Sequence, residues 1–385
     1  MVSPITPNDQ LMTLDSFLSD WRNDNPRLLV HTSGSTGSPQ PLWVEKRRME
    51  ASARITCRFL GLKAGDTALL CLPLDYIAGK MMVVRALVAG LRLISVPPSG
   101  HPLKSLLSHM EENTIDSSFL FEPHSGGGTG EAPSFAAMVP LQVWNSLQVP
   151  EERERLMQIR HLIIGGGAID EALARELRAF PHAVYSTYGM TETLSHIALR
   201  RLSGEEASEW YTPFDGVSLS ANEEGCLVID APEVCAERLV THDIVAFHPD
   251  GRRFRILGRS DNVICSGGIK IQAEEVERLL QPYISQPFYV TRTPDARLGE
   301  AVTLVVERIA GQGDFLWQVA EGRGQDLENE QLLNLKSLFS NLKPQTSNLK
   351  PRKVVWVDCL PMTETGKPRR NAPLPDDAVI EELNC

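Results

Sequence analysis

The segment Leu29-Val-His-Thr-Ser-Gly-Ser-Thr-Gly-Ser-Pro-Gln40 runs from an apolar pair straight into small, hydroxylated residues. Hydroxyls at Thr32, Ser33, Ser35 and Thr36 sit between glycines at Gly34 and Gly37. Glycine allows positive φ, so successive backbone N–H groups can turn into one concave spot; with hydroxyl donors added, such a nest suits a polyphosphate. It is not the Walker pattern, because no Gly-Lys-Ser/Thr follows at the required spacing. The same composition also makes an ordinary Ser/Gly surface turn. A second glycine cluster, Gly165, Gly166 and Gly167, closes the apolar run His161-Leu-Ile-Ile164. Backbone without side chains at the carboxyl edge of a sheet lets a ligand approach, although strand-to-helix punctuation would look alike. Three further stretches hold reactive types: Tyr188-Gly-Met-Thr-Glu-Thr193, Gly258-Arg-Ser-Asp-Asn-Val-Ile-Cys-Ser-Gly-Gly-Ile-Lys270 and Pro361-Met-Thr-Glu-Thr-Gly-Lys367, the last a glycine-hinged loop ending in an amine.

The elements that must hold these residues follow from periodicity. Apolar spacing predicts helices over 11–22, 46–59, 134–147, 151–157 and 170–180, and a helix after Gly79 carrying Lys80 and Arg85. Buried-type strands are expected over 67–72, 91–96, 118–122, 160–164 and 183–186, with a helix over 103–111 and a loop at 125–130. Strands alternating with helices indicate a mainly parallel sheet covered on both faces. From about residue 200 the pattern shortens to β-like runs at 217–219, 226–229 and 238–240, separated by turns at Asn222–Gly225 and Pro249–Gly251. Beyond Arg259-Ser-Asp261 comes an α+β pattern: helices over 272–280 and 328–342, strands over 288–292, 302–307 and 354–357. The fold class is therefore α/β, with a large N-terminal domain (1–259, its last part, 200–258, a small β subdomain) and a small α+β C-terminal domain (260–385), which the resemblance described next implies to be a mobile lid.

Four motifs in this order resemble the adenylate-forming superfamily, which includes acyl-CoA synthetases, peptide-synthetase adenylation domains and luciferase. The resemblance runs from about Leu28 to about Arg370. It implies ATP, Mg²⁺ and coenzyme A as cofactors. The Thr32–Gly37 loop would hold the β- and γ-phosphates, and Gly165–Gly167 would lie along the adenine. Tyr188 would stack on the purine next to Gly189, Thr191 would touch the α-phosphate, and Glu192 would hold Mg²⁺. Asp243 would take the ribose hydroxyls with Arg259 assisting, Asp261 would be the hinge, and Gly267 and Gly268 would line the thiol path. Lys367 would reach in for adenylation. The acyl pocket would be built from Asp75, Tyr76, Lys80, Arg85, Ser195 and His196. Lys80 and Arg85 could equally snorkel to solvent. The Tyr188–Thr193 context with Ser195-His196, and Arg85 on the pocket helix, is similar to o-succinylbenzoate–CoA ligases of menaquinone biosynthesis, whose substrate has two carboxylates. An aspartate at the place of Asp75 keeps an amino-acid-activating reading open, and a non-catalytic nucleotide-binding protein is the other alternative. The chain departs from the family at Gln40, where lysine is usual, and at His242, where glycine is usual. The glycine loop also lies unusually near the N-terminus, so part of the usual wall is absent or supplied by a partner, and a homodimer is expected on that ground.

The chain has 385 residues, 42% hydrophobic and 23% charged, a globular composition long enough for two or three cores. Its net charge of −11 favours neither nucleic acid nor an anionic membrane as partner. Seven cysteines without a CxxC read as scattered thiols of a reducing cytoplasm. No signal peptide and no bilayer-length apolar run is expected.

Overall fold

The computed structural model describes residues 12–31, 40–104, 106, 132–284, 286–308, 349–362, 368–370, 372–375 and 378–382. The glycine loop Thr32–Gly37, Lys367, and the elements expected at 107–111, 118–122, 125–130 and 328–342 lie outside the described residues. The chain divides into two compact units. One holds Met1–Ser220, Val228–Leu239 and Phe247–Arg255; the other holds Ala221–Leu227, Val240–Ala246 and Ile256–Cys385.

In the first unit, α1 (Leu14–Arg22) begins later than its periodicity suggests, because the Thr13 hydroxyl caps it by accepting the Ser16 N–H. Strand β1 (Arg27–His31) pairs antiparallel with β2 (Pro41–Glu45), with Leu29 opposite Trp43. The main sheet has seven strands: β3 (Thr67–Leu70), β4 (Arg92–Ser95), β5 (Phe135–Met138), β6 (His161–Ile164), β7 (Ala183–Gly189), β8 (His196–Arg201) and β9 (Thr212–Pro213). Their order is β4-β3-β5-β6-β7-β8-β9. Pairing is parallel from β4 through β7 and antiparallel on to β8 and β9. Leu69 packs with Val143, Leu156, Leu173 and Leu177 of α4 (Pro140–Gln148), α5 (Pro150–Gln158) and α6 (Glu171–Arg178). Its neighbours Ala68 and Leu70, on the opposite face, are buried too, so the sheet is covered on both sides.

Two helices precede these. In α2 (Lys46–Leu60) a stripe of Met49, Ser52, Ala53, Thr56, Cys57 and Leu60 is buried, and Gly61 ends the helix at φ 65°. In α3 (Ile77–Ala89) every residue from Gly79 to Ala86 is buried. The expected helix over 134–147 is corrected: its first part is strand β5, fully buried and paired on both sides, and the helix starts at Pro140. Phe-Ala-Ala-Met suits a helix locally, but a slot between two parallel strands overrides that preference. Proline, lacking a donor, fits the first helical position.

Residues 218–259 form a four-stranded sheet, β10 (Ser218–Ala221), β11 (Cys226–Asp230), β12 (Leu239–Phe247) and β13 (Phe254–Arg259), in sequence order. The second unit contains β14 (Val263–Ser266), β15 (Ile269–Gln272), α7 (Ala273–Leu280), β16 (Phe288–Asp295), β17 (Gly299–Glu307), β18 (Lys353–Val357) and β19 (Val379–Glu382). The sheet runs β15-β14-β17-β18-β19, with β16 also on β17. Val276 and Leu280 of α7 pack on Val290, Leu304, Val306 and Val354, which fixes an α+β core. Among the described residues no helix is long and apolar enough to cross a membrane.

Candidate functional site

The loop between β7 and β8 is held by glycine, threonine and strain. Gly189 lies opposite His196, where a Cβ would run into the Ser195 carbonyl oxygen, so no other residue fits without a shift. At Gly165 a Cβ would meet the Thr187 hydroxyl, and Gly166 has φ 82°. The Thr193 hydroxyl accepts the Met190 N–H at 3.0 Å and lies 2.8 Å from the Ser195 carbonyl oxygen. Leu194, at φ 65°, is the non-glycine residue with positive φ among the described residues, and it is buried. Such strain persists only where packing over-determines it. The clamped loop buries Thr191 and leaves the Glu192 carboxylate exposed. Beside it, Tyr188 meets Phe254 edge-on at 5.2 Å and Tyr211 at 5.9 Å, and the Tyr211 hydroxyl is 2.8 Å from Ser186 Oγ. Tyr211 and Phe254 were not legible as neighbours of Tyr188, because neither belongs to a motif.

Glu192 offers hard oxygens of the kind Mg²⁺ prefers, and among the described residues no group of three His, Cys, Asp or Glu gathers around a metal position. That donor set fits Mg²⁺, which usually takes one or two protein carboxylates and completes its shell with phosphate and water.

The two cations of α3 do not snorkel. Lys80 and Arg85 are each only 2% exposed. They are used differently. Lys80 Nζ donates to the Leu74 carbonyl at 2.5 Å and the Asp75 carbonyl at 3.1 Å, closing the turn that leads into α3. At Gly79 a Cβ would collide with the Pro73 carbonyl, so the same turn is tight. Asp75 accepts the Met12 N–H at 3.2 Å, and Tyr76 stands at the N-cap of α3. Arg85 Nη2 donates to Ser195 Oγ at 2.6 Å, and Nη1 lies 3.8 Å from Met82 Sδ. Among the described residues its Nε has no partner and no carboxylate pairs with it. Burial lowers its pKa to about 10.

Ser195 leads to a further buried group. Its Oγ is 3.1 Å from His196 Nδ1, and His196 Nε2 is 3.1 Å from Thr56 Oγ1. Burial first, and then Arg85, push the imidazole pKa well below its usual value, so the ring is neutral. Thr56 went unnoticed in the sequence, although a Ser and a Thr four residues apart inside the apolar stripe of α2 are its signature.

In the second unit, Arg259 grips Asp261 with two hydrogen bonds of 2.9 and 2.7 Å and reaches Asp243 at 3.2 Å. Burial raises the Asp261 pKa, but Arg259 outweighs it and the net effect is to lower it. The Asp243 N–H is fixed by Thr241 Oγ1, and His242 Nδ1 is 3.2 Å from Ser260 Oγ. Gly267 and Gly268, at φ 59° and 83°, make the two-residue turn between β14 and β15. The ends of the lysine-bearing loop are joined: Met362 bridges Pro368, and the Arg369 N–H donates to the Pro361 carbonyl at 2.8 Å. Arg370 then donates to both oxygens of Glu277 at 2.7 Å.

Residues 8–223, which carry the clamped loop with its tyrosine, buried threonine and exposed glutamate, match the family of AMP-binding enzymes. The chain belongs to the AMP-binding enzyme family. Among solved structures, it is similar to an acyl-CoA synthetase (AMP-forming)/AMP-acid ligase II-like protein from Dyadobacter fermentans, with 30% identity, 91% of this chain and 90% of that one covered, and a TM-score of 0.55. Among curated relatives, a 2-succinylbenzoate–CoA ligase of Bacillus cereus is 24% identical over 308 residues, 73% of this chain. The chain spans 60% of that relative's length. The o-succinylbenzoate CoA synthetase of Bacillus subtilis, solved with the acyl-adenylate OSB-AMP, shares the fold at 20% identity, with a TM-score of 0.64 over 89% of this chain and 68% of that one.

Proposed function

We propose that this chain activates a dicarboxylic acid of the 2-succinylbenzoate type with ATP and passes the acyl group to coenzyme A in the cytoplasm. The observation that carries the reading is Arg85: a buried guanidinium with a bare Nε and no carboxylate partner among the described residues. Taking a cation out of water without a counter-ion costs stability, so such a group points to a ligand that brings the missing anion. Lys80, the other candidate, is committed to two backbone carbonyls. Asp75 has one oxygen on the Met12 N–H and lies beside the Lys80 ammonium, whose charge would oppose a substrate α-ammonium there.

In this reading Arg85 takes the unreacted carboxylate, and the other carboxylate faces ATP. Its oxygen attacks the α-phosphorus, the bond to the β-phosphate breaks, and pyrophosphate leaves. The coenzyme A thiolate then attacks the acyl carbon and AMP departs, so the poor oxide leaving group has become a good one. The first step brings two anions together. Lys367 would offset that repulsion and the charge growing on the α-phosphate, the Thr32–Gly37 loop would hold the outer phosphates, and Tyr188 and Asp243 would position adenine and ribose. A Mg²⁺ ion held by Glu192 would supply further charge neutralisation. Asp261 would serve as the hinge that withdraws Lys367 and brings Gly267 and Gly268 to the thiol path.

The test is AMP release with ATP and 2-succinylbenzoate, with and without coenzyme A, and the mass of the product. Acid- and thiol-dependent AMP release yielding the thioester supports the reading; nucleotide binding without turnover of any acid contradicts it.

A further inference from the structure

The hydrogen bonds behind Arg85 admit one complete arrangement of protons. Arginine can only donate, so Ser195 Oγ accepts from Nη2 at 2.6 Å and still has its own proton to give. At the far end, Thr56 Oγ1 gives its proton to the Ser52 carbonyl at 3.1 Å, one turn back on α2, and so accepts from His196 Nε2. His196 must then carry its proton on Nε2, leaving Nδ1 bare to accept from Ser195 at 3.1 Å. Each hydroxyl and ring nitrogen between Arg85 and the Ser52 carbonyl then has a partner, and the file runs one way: Arg85, Ser195, His196, Thr56, Ser52. Moving the ring proton to Nδ1, or protonating the ring fully, would make His196 donate to Ser195. Ser195 would then receive two donors, and its own proton would lack this acceptor.

We propose that His196, through its bare Nδ1, is a positioning residue for recognition of the second carboxylate of the substrate: it accepts the hydrogen bond of the Ser195 hydroxyl, turns a Ser195 lone pair to Arg85, and so fixes the guanidinium with its Nε edge left for the acid. The proposal rests on the reading of Arg85 given above. In this reading His196, Thr56 and Ser52 are buried and act from behind Arg85, not on the substrate, which corrects the expectation that His196 lines the acyl pocket. Their effect is to make one orientation of Arg85 the satisfied one in an apolar interior, where an unmade hydrogen bond is costly. The neutral state of the ring, imposed by burial and by Arg85 itself, agrees with this direction of donation.

The two ring nitrogens can be tested separately. Asparagine in place of His196 can offer an acceptor near Nδ1, whereas glutamine reaches the place of Nε2 and loses the contact to Ser195. The measurement is pyrophosphate release from ATP with 2-succinylbenzoate and with its counterpart in which the unreacted carboxylate is replaced by hydrogen. Wild type, His196→Asn, His196→Gln, Ser195→Ala and Arg85→Gln are compared. His196→Asn should keep the wild-type ratio of kcat/KM for diacid over monoacid within about threefold. His196→Gln and Ser195→Ala should lower that ratio about tenfold or more. The loss should fall mainly on the KM for the diacid, and the monoacid should lose less. The proposal is overturned if His196→Gln keeps the ratio, or if the variants weaken both acids alike, as a merely structural role would. Should His196→Gln fail to fold, Ser195→Ala decides, and an unchanged ratio there overturns the proposal. Failure of the underlying reading looks different: wild type would show no preference for the diacid, or Arg85→Gln would keep it.

Discussion

Replacing Arg85 with methionine should make the protein more stable and a worse enzyme. Burial lowers the guanidinium pKa to about 10, and among the described residues Nε has no hydrogen-bond partner. At about 1.4 kcal/mol for each tenfold change in proton affinity, keeping this group charged in the folded state costs about 3 kcal/mol. The sign follows from linkage: a base whose folded pKa is depressed weighs against folding at every pH below that value and is relieved only as pH rises through about 10. Methionine has similar length, fills the same space between α2 and the β7–β8 loop, and needs no partner. Ser195 keeps its donation to His196, so no new orphan arises. After some loss of packing, we expect Arg85→Met to gain about 1–3 kcal/mol in urea unfolding followed by tryptophan fluorescence, with the gain constant from pH 6 to pH 9. The same variant should lose about 100-fold or more in kcat/KM for 2-succinylbenzoate, since a buried carboxylate would face no cation. A variant that unfolds at lower urea than wild type would mean that Arg85 is a satisfied structural group, and the functional argument built on it would fall.

Lys367→Ala should abolish ATP–pyrophosphate exchange yet leave thiolysis of a supplied acyl-adenylate; loss or survival of both half-reactions together would contradict the assignment. Gly189→Ala places a Cβ against the Ser195 carbonyl, so it should cost about 2 kcal/mol or more and be read as a lowered unfolding midpoint. His161 begins β6 with its Nδ1 buried and, among the described residues, unpartnered; burial, with neighbouring Arg160, lowers its pKa to about 4. The unfolded chain takes up this proton first as pH falls, so stability is lost between about pH 6.5 and pH 4, by about 2–3 kcal/mol; His161→Phe should flatten that part of the profile.

Helices α2 and α6 were legible because an apolar stripe and a boundary residue agreed: Gly61 ends the first, and the Asp170 carboxylate caps the second by accepting the Leu173 N–H at 2.7 Å. Strand β5 was not, because a short apolar run buried on both sides has no period to read. Strand β2 was missed for the opposite reason: only Val44 of its five residues is buried, so the ribbon shows little apolar signal. Within the site, residue types at Tyr188, Thr191 and Glu192 announced themselves through their motif. The contrast between Lys80 and Arg85 did not. Both are long cations on one apolar helix, and only the carbonyls of Leu74 and Asp75, brought round by a tight turn, show which one is spent.

If this chain makes an adenylate of a diacid, ATP–pyrophosphate exchange across a panel of acids will reveal it. The panel sets 2-succinylbenzoate against its monoacid counterpart, fatty acids, aryl acids and the amino acids. The account predicts Mg²⁺-dependent exchange that is fastest with 2-succinylbenzoate. Exchange driven best by an amino acid, or by no acid at all, would contradict it.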